Sequence, residues 1–442
     1  MTWSRPALLI LAWIPAMGAV AAAMLPERRA ALRRFLALGF ALLPLAAALA
    51  HPSRELRAWV PALGLDYDLA IATPFASIAV VWIPVLAGIA LLSMESSELG
   101  RRTASLVLLA ETSLLGLLTS GDAALWLGFY GGGLLTGTLL LERAGAMKKF
   151  FFFQAAALAL MSGIAWISYH LNWVQTGFPS AEIARFASLV GYPDFEGRMF
   201  LLGAAALALA CPLVPFTAWL AESAEALPTP GRLLLLGGWS LAGTDFFSRG
   251  ILPSFSRGAE GSANAMAFLA ALGTLYAGLA PYRGARERRW IPLLVGFQGL
   301  VVLGLLSPSP EGVAAGRSGM LHLALALTAL ALWSSEGRSS VSERPTLWTR
   351  ALRFALLSMV FLPTWWVVLR EEWSRSSTIA AIAGMGLALM VVRLVRTLPP
   401  LTTTRGLLLL APIFGFWLFL AWSPDRFAPD GSVNRTVIPE EE

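Results

Sequence analysis

The sequence predicts an all-α polytopic membrane protein of about fourteen transmembrane helices. Three observations carry that prediction. The 442-residue chain is 57% hydrophobic and only 14% charged, whereas a soluble chain carries about a quarter charged residues. Mean hydropathy is +0.68, and runs such as Ala104–Ser120 and Leu233–Gly243 leave no room for the polar face of a soluble helix. The apolar segments are continuous and about 20 residues long, which excludes a barrel of alternating ten-residue strands.

Cutting at charged or Pro/Gly-rich breaks places the spans near 6–25, 35–51, 75–94, 104–120, 123–141, 150–169, 199–219, 232–253, 264–282, 290–306, 319–334, 350–369, 378–398 and 405–422. The first is expected to be a retained span, because its apolar run outlasts a signal h-region and arginines follow it. An even number of spans puts both termini on one side. Odd-numbered loops hold Arg28, Arg29, Arg33, Arg34, Arg101, Arg102, Arg143, Lys148, Lys149, Arg283, Arg286, Arg288, Arg289, Arg393 and Arg396. The positive-inside rule therefore predicts odd loops in the cytoplasm and both termini on the periplasmic side of a bacterial inner membrane. Two long even loops have their own character. Residues 52–74 read as a β-prone hairpin on the outer face, and Ser180–Leu189 as a short interfacial helix. The tail from Pro424 is polar and expected to be flexible.

Several function classes fall away at once. The charge of +6 is spread over short loops, so no nucleic-acid partner is expected. One cysteine, Cys211, rules out an internal disulfide and a cysteine metal site. His51, His170 and His322 lie far apart without ligand spacing. No nucleophile–base pair, nucleotide loop or haem ligand pair is present, so neither a catalytic site nor a cofactor or metal is expected of the chain itself. Gly131–Gly133 follows no strand and suits tight helix packing.

The stretch "LACPLVPFTAWLAESAEALPTPGR", residues 209–232, breaks an otherwise apolar helix. Pro212 and Pro215 remove backbone donors near mid-span, which interrupts the hydrogen-bond ladder. A broken helix at membrane depth is tolerated only under cover of protein or a water-filled cavity.

Four collinear stretches covering roughly residues 60–330 carry a family resemblance. They are "WVPALGLDYDLAIATPFAS", "DAALWLGFYGGGLLTGTLLLERAGAMKKFFFFQAAALALMSG", the broken-helix stretch with Pro212, Pro215, Phe216, Trp219, Glu222, Pro228 and Thr229, and "LAALGTLYAGLAPYRGARERRWIPLLVGFQGLVVLGLLSPSPEGVAAG". Together they resemble the antiporter-like membrane subunits of complex I, the Mrp antiporters and membrane-bound hydrogenases. The resemblance implies two inverted five-helix repeats with discontinuous seventh and twelfth helices. The corresponding domains are residues 1–103, three N-terminal spans with the hairpin; 104–253, the first repeat; 264–398, the second repeat; and 399–442, the last span and tail.

The resemblance also implies a chain of buried ionisable groups at the bilayer midplane, and that chain is largely missing. The fifth-span glutamate falls at Gly131, the seventh-span lysine at Ala210, the eighth-span lysine at Leu241 and the histidine of another subtype at Leu236. The tenth-span histidine falls at Gln298, and the eleventh-span one at Leu323 or, with a one-residue slip, His322. Intramembrane ionisable residues are functional by default, so the remaining ones are the ion-pathway candidates. These are Glu111 inside span four, Asp245 with Arg249 one turn later on span eight, Lys149 in the Lys-Phe-Phe of span six, and Glu371 near the end of span twelve. For Asp245 and Arg249 a self-neutralising pair near the helix end competes with ion handling. Arg232 is expected at the interface, at the mouth of span eight.

The expected function is that of an integral membrane subunit in a complex I-like, ion-translocating redox assembly. It would be a structural or altered antiporter-like copy, with other membrane subunits and the lipid bilayer as partners. Two alternatives stay open: a rewired proton or sodium route through Glu111 and Asp245, and a membrane partner for a soluble catalytic protein such as an inorganic-carbon uptake system.

Overall fold

The structure, a computed structural model, describes residues 7–49, 54–60, 65–70, 74–92, 100–141, 144–186, 188–189, 191–227, 231–232, 234, 237–280, 291–320, 323 and 363–397. The predicted spans 405–422 and most of 319–334 and 350–369 lie outside them. So do Pro228, Thr229, His51, His322 and the tail from Pro424.

Helices α1 (Ala7–Met24) and α2 (Ala30–Leu49) are joined by a 3₁₀ turn at Glu27–Arg29. Strands β1 (Arg54–Val60) and β2 (Leu65–Ala70) then pair antiparallel, from Arg54 opposite Ala70 to Val60 opposite Leu65, with a bulge between Ala58 and Val60. The hairpin expected at 52–74 is therefore present. Helices α3 (Pro74–Leu92), α4 (Arg101–Thr119), α5 (Ala123–Leu140) and α6 (Ala144–Thr176) follow, then a single turn, α7 (Ile183–Phe186). The seventh span consists of α8 (Pro193–Ala210) and α9 (Ala218–Ala226), separated by a non-helical stretch. The eighth contains α10 (Gly237–Phe246), which continues through a π-helical turn at Phe247–Ile251. Beyond lie α11 (Ser256–Leu279), α12 (Ile291–Leu305), α13 (residues 310–320), α14 (Pro363–Arg375) and α15 (Ser377–Thr397).

Five described helical stretches are long and apolar enough to cross a membrane: Glu27–Ala48, Arg101–Thr119, Ala123–Leu140, Gly145–Thr176 and Gly261–Leu279. Large apolar side chains such as Met17, Phe35, Phe152, Trp166 and Leu279 point outward from the bundle, the arrangement of a protein solvated by hydrocarbon. Helix α6 exceeds its predicted span. Its 33 residues reach about 50 Å, against a hydrocarbon core of about 30 Å.

The even-numbered loops gather at one end. Leu69 of β2 bridges to Ser120, and Asp122 bridges to Glu182. The Ala123 amide donates to the Ala181 carbonyl and the Ile183 amide to the Gly121 carbonyl, both at 2.8 Å. These bonds commit the backbone of 181–183 to the α4–α5 turn. That is why the helix expected over Ser180–Leu189 contracts to α7. Asp122 caps α5, its Oδ1 accepting from Ala124 at 2.7 Å and Leu125 at 3.3 Å. At the opposite end the Ser105 hydroxyl donates to the Ala19 carbonyl at 2.8 Å and Arg102 donates to the Leu139 carbonyl at 2.9 Å.

Gly133 has a packing role. A Cβ there would run into the ring of Trp239 and lie 3.2 Å from the Ser113 Cβ. The glycine lets the Trp239 ring lie flat on α5. Gly133→Ala is expected to lower stability by about 1–3 kcal/mol through overpacking, read as a lower Tm of the detergent-solubilised protein. An unchanged Tm would mean that the Trp239 ring is not fixed against α5.

Candidate functional site

The break in the seventh span is the centre of the first half. Helix α8 makes its last regular bond where the Cys211 amide donates to Leu207. Pro212 cannot donate. The chain then turns tightly, with Leu213 donating to Cys211 and Phe216 to Leu213, both at 2.7 Å. Helical continuation being lost, the carbonyls of Leu209 and Ala210 need other donors, because orphan helix-end groups in a dry site are costly.

Gln154 of α6 supplies them. Its Nε2 donates to the Ala210 carbonyl at 3.3 Å and to the Leu209 carbonyl at 3.5 Å. Its Oε1 accepts from the Tyr130 hydroxyl at 2.6 Å and from the Trp239 indole N–H at 2.9 Å. One fully buried amide thus ties together α5, α6, the end of α8, and α10. Gly243 brings α10 onto the break itself, since a Cβ there would sit 2.8 Å from the Cys211 sulfur. Rings line the same seam: Trp126 lies 5.2 Å from Tyr130 and 4.4 Å from Phe246, and Tyr130 lies 4.7 Å from Trp239.

The sequence register placed a lost carboxylate at Gly131, but in the fold Tyr130 is the α5 residue that reaches the break. A Cβ on Gly131 would touch only Leu158, at 4.0 Å. Ala210 and Leu241 are each 1% exposed and offer no charge. Gln298 is fully buried in α12, and neither of its amide atoms has a hydrogen-bond partner among the described residues. Leu323 is buried; Leu236 and His322 lie outside the described residues. Trp219 packs edge-on against Phe150, with centroids 5.7 Å apart.

Among the described residues, the remaining candidate charges lie in separate parts of the fold. Lys149 is half exposed at the start of α6 and pairs with Glu222 of α9, so it clamps the break from outside. Glu371 pairs with Arg370 at 2.8 Å on the polar end of α14. There Arg370, and after it Ser309, hold its carboxyl below the usual range. Next to it the fully buried Glu372 faces Arg375 at 3.3 Å, and Arg375 donates to the Leu306 carbonyl at 2.8 Å. Glu111 is fully buried on α4, and neither carboxylate oxygen has a hydrogen-bond partner among the described residues. Arg232 does not lie on the protein surface. It is 1% exposed, and its Nε donates to the Leu227 carbonyl at 2.9 Å, which holds the turn into span eight.

Asp245 and Arg249 form the expected i, i+4 pair, with Nη2 to Oδ2 at 2.6 Å and Nε to Oδ2 at 2.8 Å. Rather than reaching outward, the pair is buried, with side chains 1% and 9% exposed. The reason is geometric. Arg249 also donates to the Ser120 carbonyl at 3.1 Å and the Leu117 carbonyl at 3.3 Å, carbonyls that the end of α4 leaves open. Its π-helical turn packs beneath α7, where a Cβ on Gly250 would meet Ile183 at 3.5 Å. Arg317 of α13 also acts electrostatically on Asp245, which links span eight to the second half.

Sequence reasoning missed Gln154 and Arg317. A lone glutamine inside an apolar helix, one helical span away from two prolines, was the available signal for the first.

With this geometry in view, comparison with solved structures defines the class. One chain of respiratory complex I from Thermus thermophilus is 19% identical and superposes with a TM-score of 0.77, covering 94% of this chain and 93% of that one. A chain of an archaeal membrane-bound sulfane sulfur reductase is 16% identical, with a TM-score of 0.76 and coverage of 88% and 69%. A chain of an Mrp complex from a Dietzia species is 18% identical, with a TM-score of 0.70 and coverage of 92% and 83%. The fold is thus that of a polytopic membrane chain found in multi-subunit membrane complexes. Residues 127–369 match the family described as NADH:quinone oxidoreductase/Mrp antiporter, TM, and the chain belongs to that family. No curated protein matches it in sequence.

Two substitutions test the site. Gln154→Leu strands the Tyr130 hydroxyl, the Trp239 N–H and the carbonyls of the break, and is expected to cost about 2–3 kcal/mol of stability. Denaturant unfolding in detergent measures it, and a loss within error would show that these groups find other partners. Arg249→Met removes the nearest counter-charge of a buried carboxylate. The expected loss is about 3 kcal/mol, at the low end for a broken buried pair because Arg317 still acts on Asp245. A smaller loss on the Asp245→Asn background would confirm the coupling.

Proposed function

We propose that the chain is an antiporter-like membrane subunit of a complex I-like, ion-translocating assembly whose usual first-half ion path has been replaced by a neutral junction. The observation that supports this is Gln154. Where the resemblance calls for a carboxylate and a lysine, an uncharged amide joins Tyr130, Trp239 and the broken α8. Its two oxygen-accepted bonds and two donated bonds use the whole amide, which leaves no polar atom to bind a travelling proton. The aromatic seam around it excludes the water chain that would substitute for side chains. The chain would therefore brace the membrane arm beside ion-conducting paralogues. In this arrangement it sits in a bacterial inner membrane with both termini periplasmic, its N-terminal three spans at 1–103, its repeats at 104–253 and 264–398, and its last span and tail at 399–442. No nucleic acid takes part.

Purification of the native assembly in mild detergent is expected to bring down several related membrane subunits. A stable solitary monomer would count against the proposal.

One observation favours a second route. Glu111 is a fully buried carboxyl without a hydrogen-bond partner among the described residues, and an ionisable residue inside a span marks an ion pathway by default. Ion transport by the native complex reconstituted in liposomes separates the two. Unchanged transport in Glu111→Gln and Asp245→Asn supports the bracing role; loss of transport with an intact complex would establish a rewired path through them.

A further inference from the structure

We propose that a groove between α1, α4 and α5 binds an anionic phospholipid, with an acyl chain along the groove and the phosphate at an arginine cluster at its end. The groove has a volume of about 690 Å³. Its walls include Trp13 of α1, Leu109 of α4, and Leu135 and Leu139 of α5, which are 43%, 37%, 60% and 52% exposed. Gly128 and Gly132 hollow its floor.

The wall makes no polar demand on its occupant. Thr112, Ser113 and Thr136 all line it, but each hydroxyl donates to a carbonyl of its own helix, Leu108, Leu109 and Gly132, at 3.0, 2.9 and 2.7 Å. The hydroxyl protons of these three residues are thus already used. A wall whose hydroxyls already donate within their own helices suits a hydrocarbon chain, which fills the space at little desolvation cost.

Among the described residues, basic side chains sit at the end where α5 finishes, while at the other end the buried Asp122 carboxylate caps the Ala124 and Leu125 amides. Arg102 donates from Nη2 to the carbonyl of Leu139, a groove residue, which fixes the guanidinium at the rim. Arg101 precedes it, and both are exposed. Arg28 and Arg29, also exposed, follow α1 at the same end of the bundle, where the Ser105 hydroxyl binds the Ala19 carbonyl. A guanidinium has further donors beyond the one it spends on a carbonyl. Basic clusters at the ends of transmembrane helices attract anionic head groups and leave zwitterionic ones largely unselected. An apolar groove that ends in arginines therefore matches a phosphate-bearing lipid in both parts. Partners of the purely apolar kind, such as a helix of a neighbouring subunit, match only the groove.

Gly128 gives a test that spares the fold. A Cβ at this position meets nothing within 4 Å, so Gly128→Leu starts its side chain in open space and directs it into the groove, and leucine favours the helix more than glycine. The native complex, purified in mild detergent, is analysed for retained phospholipid by native mass spectrometry, with phosphatidylglycerol, cardiolipin or phosphatidylcholine added back. The wild type is expected to retain anionic lipid and to gain thermal stability from it but not from phosphatidylcholine. Arg101→Gln with Arg102→Gln is expected to weaken anionic-lipid retention by about tenfold. Gly128→Leu is expected to abolish retention while keeping the lipid-free Tm. Equal retention in Gly128→Leu, or equal response to phosphatidylcholine, would overturn the proposal. So would a photoreactive residue at Leu135 that cross-links to a neighbouring subunit instead of a lipid.

Discussion

A helix interrupted inside a bilayer leaves carbonyls that the surrounding hydrocarbon cannot satisfy, and here the carbonyls of Leu209 and Ala210 fall to one side chain, Gln154. Its contacts fix the relative positions of α5, α6, α8 and α10, because each helix contributes a group to the same amide. Glycines then set how closely those helices approach. Gly133 accepts the Trp239 ring, and Gly243 accepts the turn at Cys211. The packing of the first half follows from this small polar centre.

The same centre bears on transport. A carboxylate and an ammonium at a broken helix make a site whose charge can change, and charge that can change can be coupled to ion movement. An amide bonded on both sides has one state. Tyr130, Trp126 and Phe246 extend that fixed arrangement along the seam toward Asp245. The buried charge that survives is held elsewhere: Arg249 bridges Asp245 to the end of α4, and Arg317 reaches the same carboxylate from the second half. Electrostatics here joins helices rather than offering a row of exchangeable sites. The basic side chains at the end of α1 and the start of α4 are exposed instead.

Much of this was legible in order. Long apolar runs gave the membrane class, the two prolines gave the broken span, and alternating loops gave the hairpin, all of which the fold contains. The register of α5 was not legible. A family pattern laid on "FYGGG" points to Gly131, whereas helix rotation brings Tyr130 to the break, and rotation depends on the partners of α5 rather than on its own sequence. The burial of Arg232 was not legible for a related reason. A charged residue after Pro-Gly suggests the interface, but the Leu227 carbonyl beside it gives the guanidinium a buried acceptor. The pairing of Asp245 with Arg249 could be read from spacing, while its burial beneath α7 could not.

The sequence alone determined the membrane solvent, the alternation of spans and the place of the break, because these follow from local hydropathy and from the missing N–H of proline. It also shows neutral residues, Gly131, Ala210, Leu241 and Gln298, at the positions where the family resemblance implies charge. Only the tertiary structure decided what took their place. Gln154, Tyr130 and Trp239 come from three helices, the last of them 85 residues beyond Gln154, and a hydrogen-bond centre of that kind exists only once those helices pack.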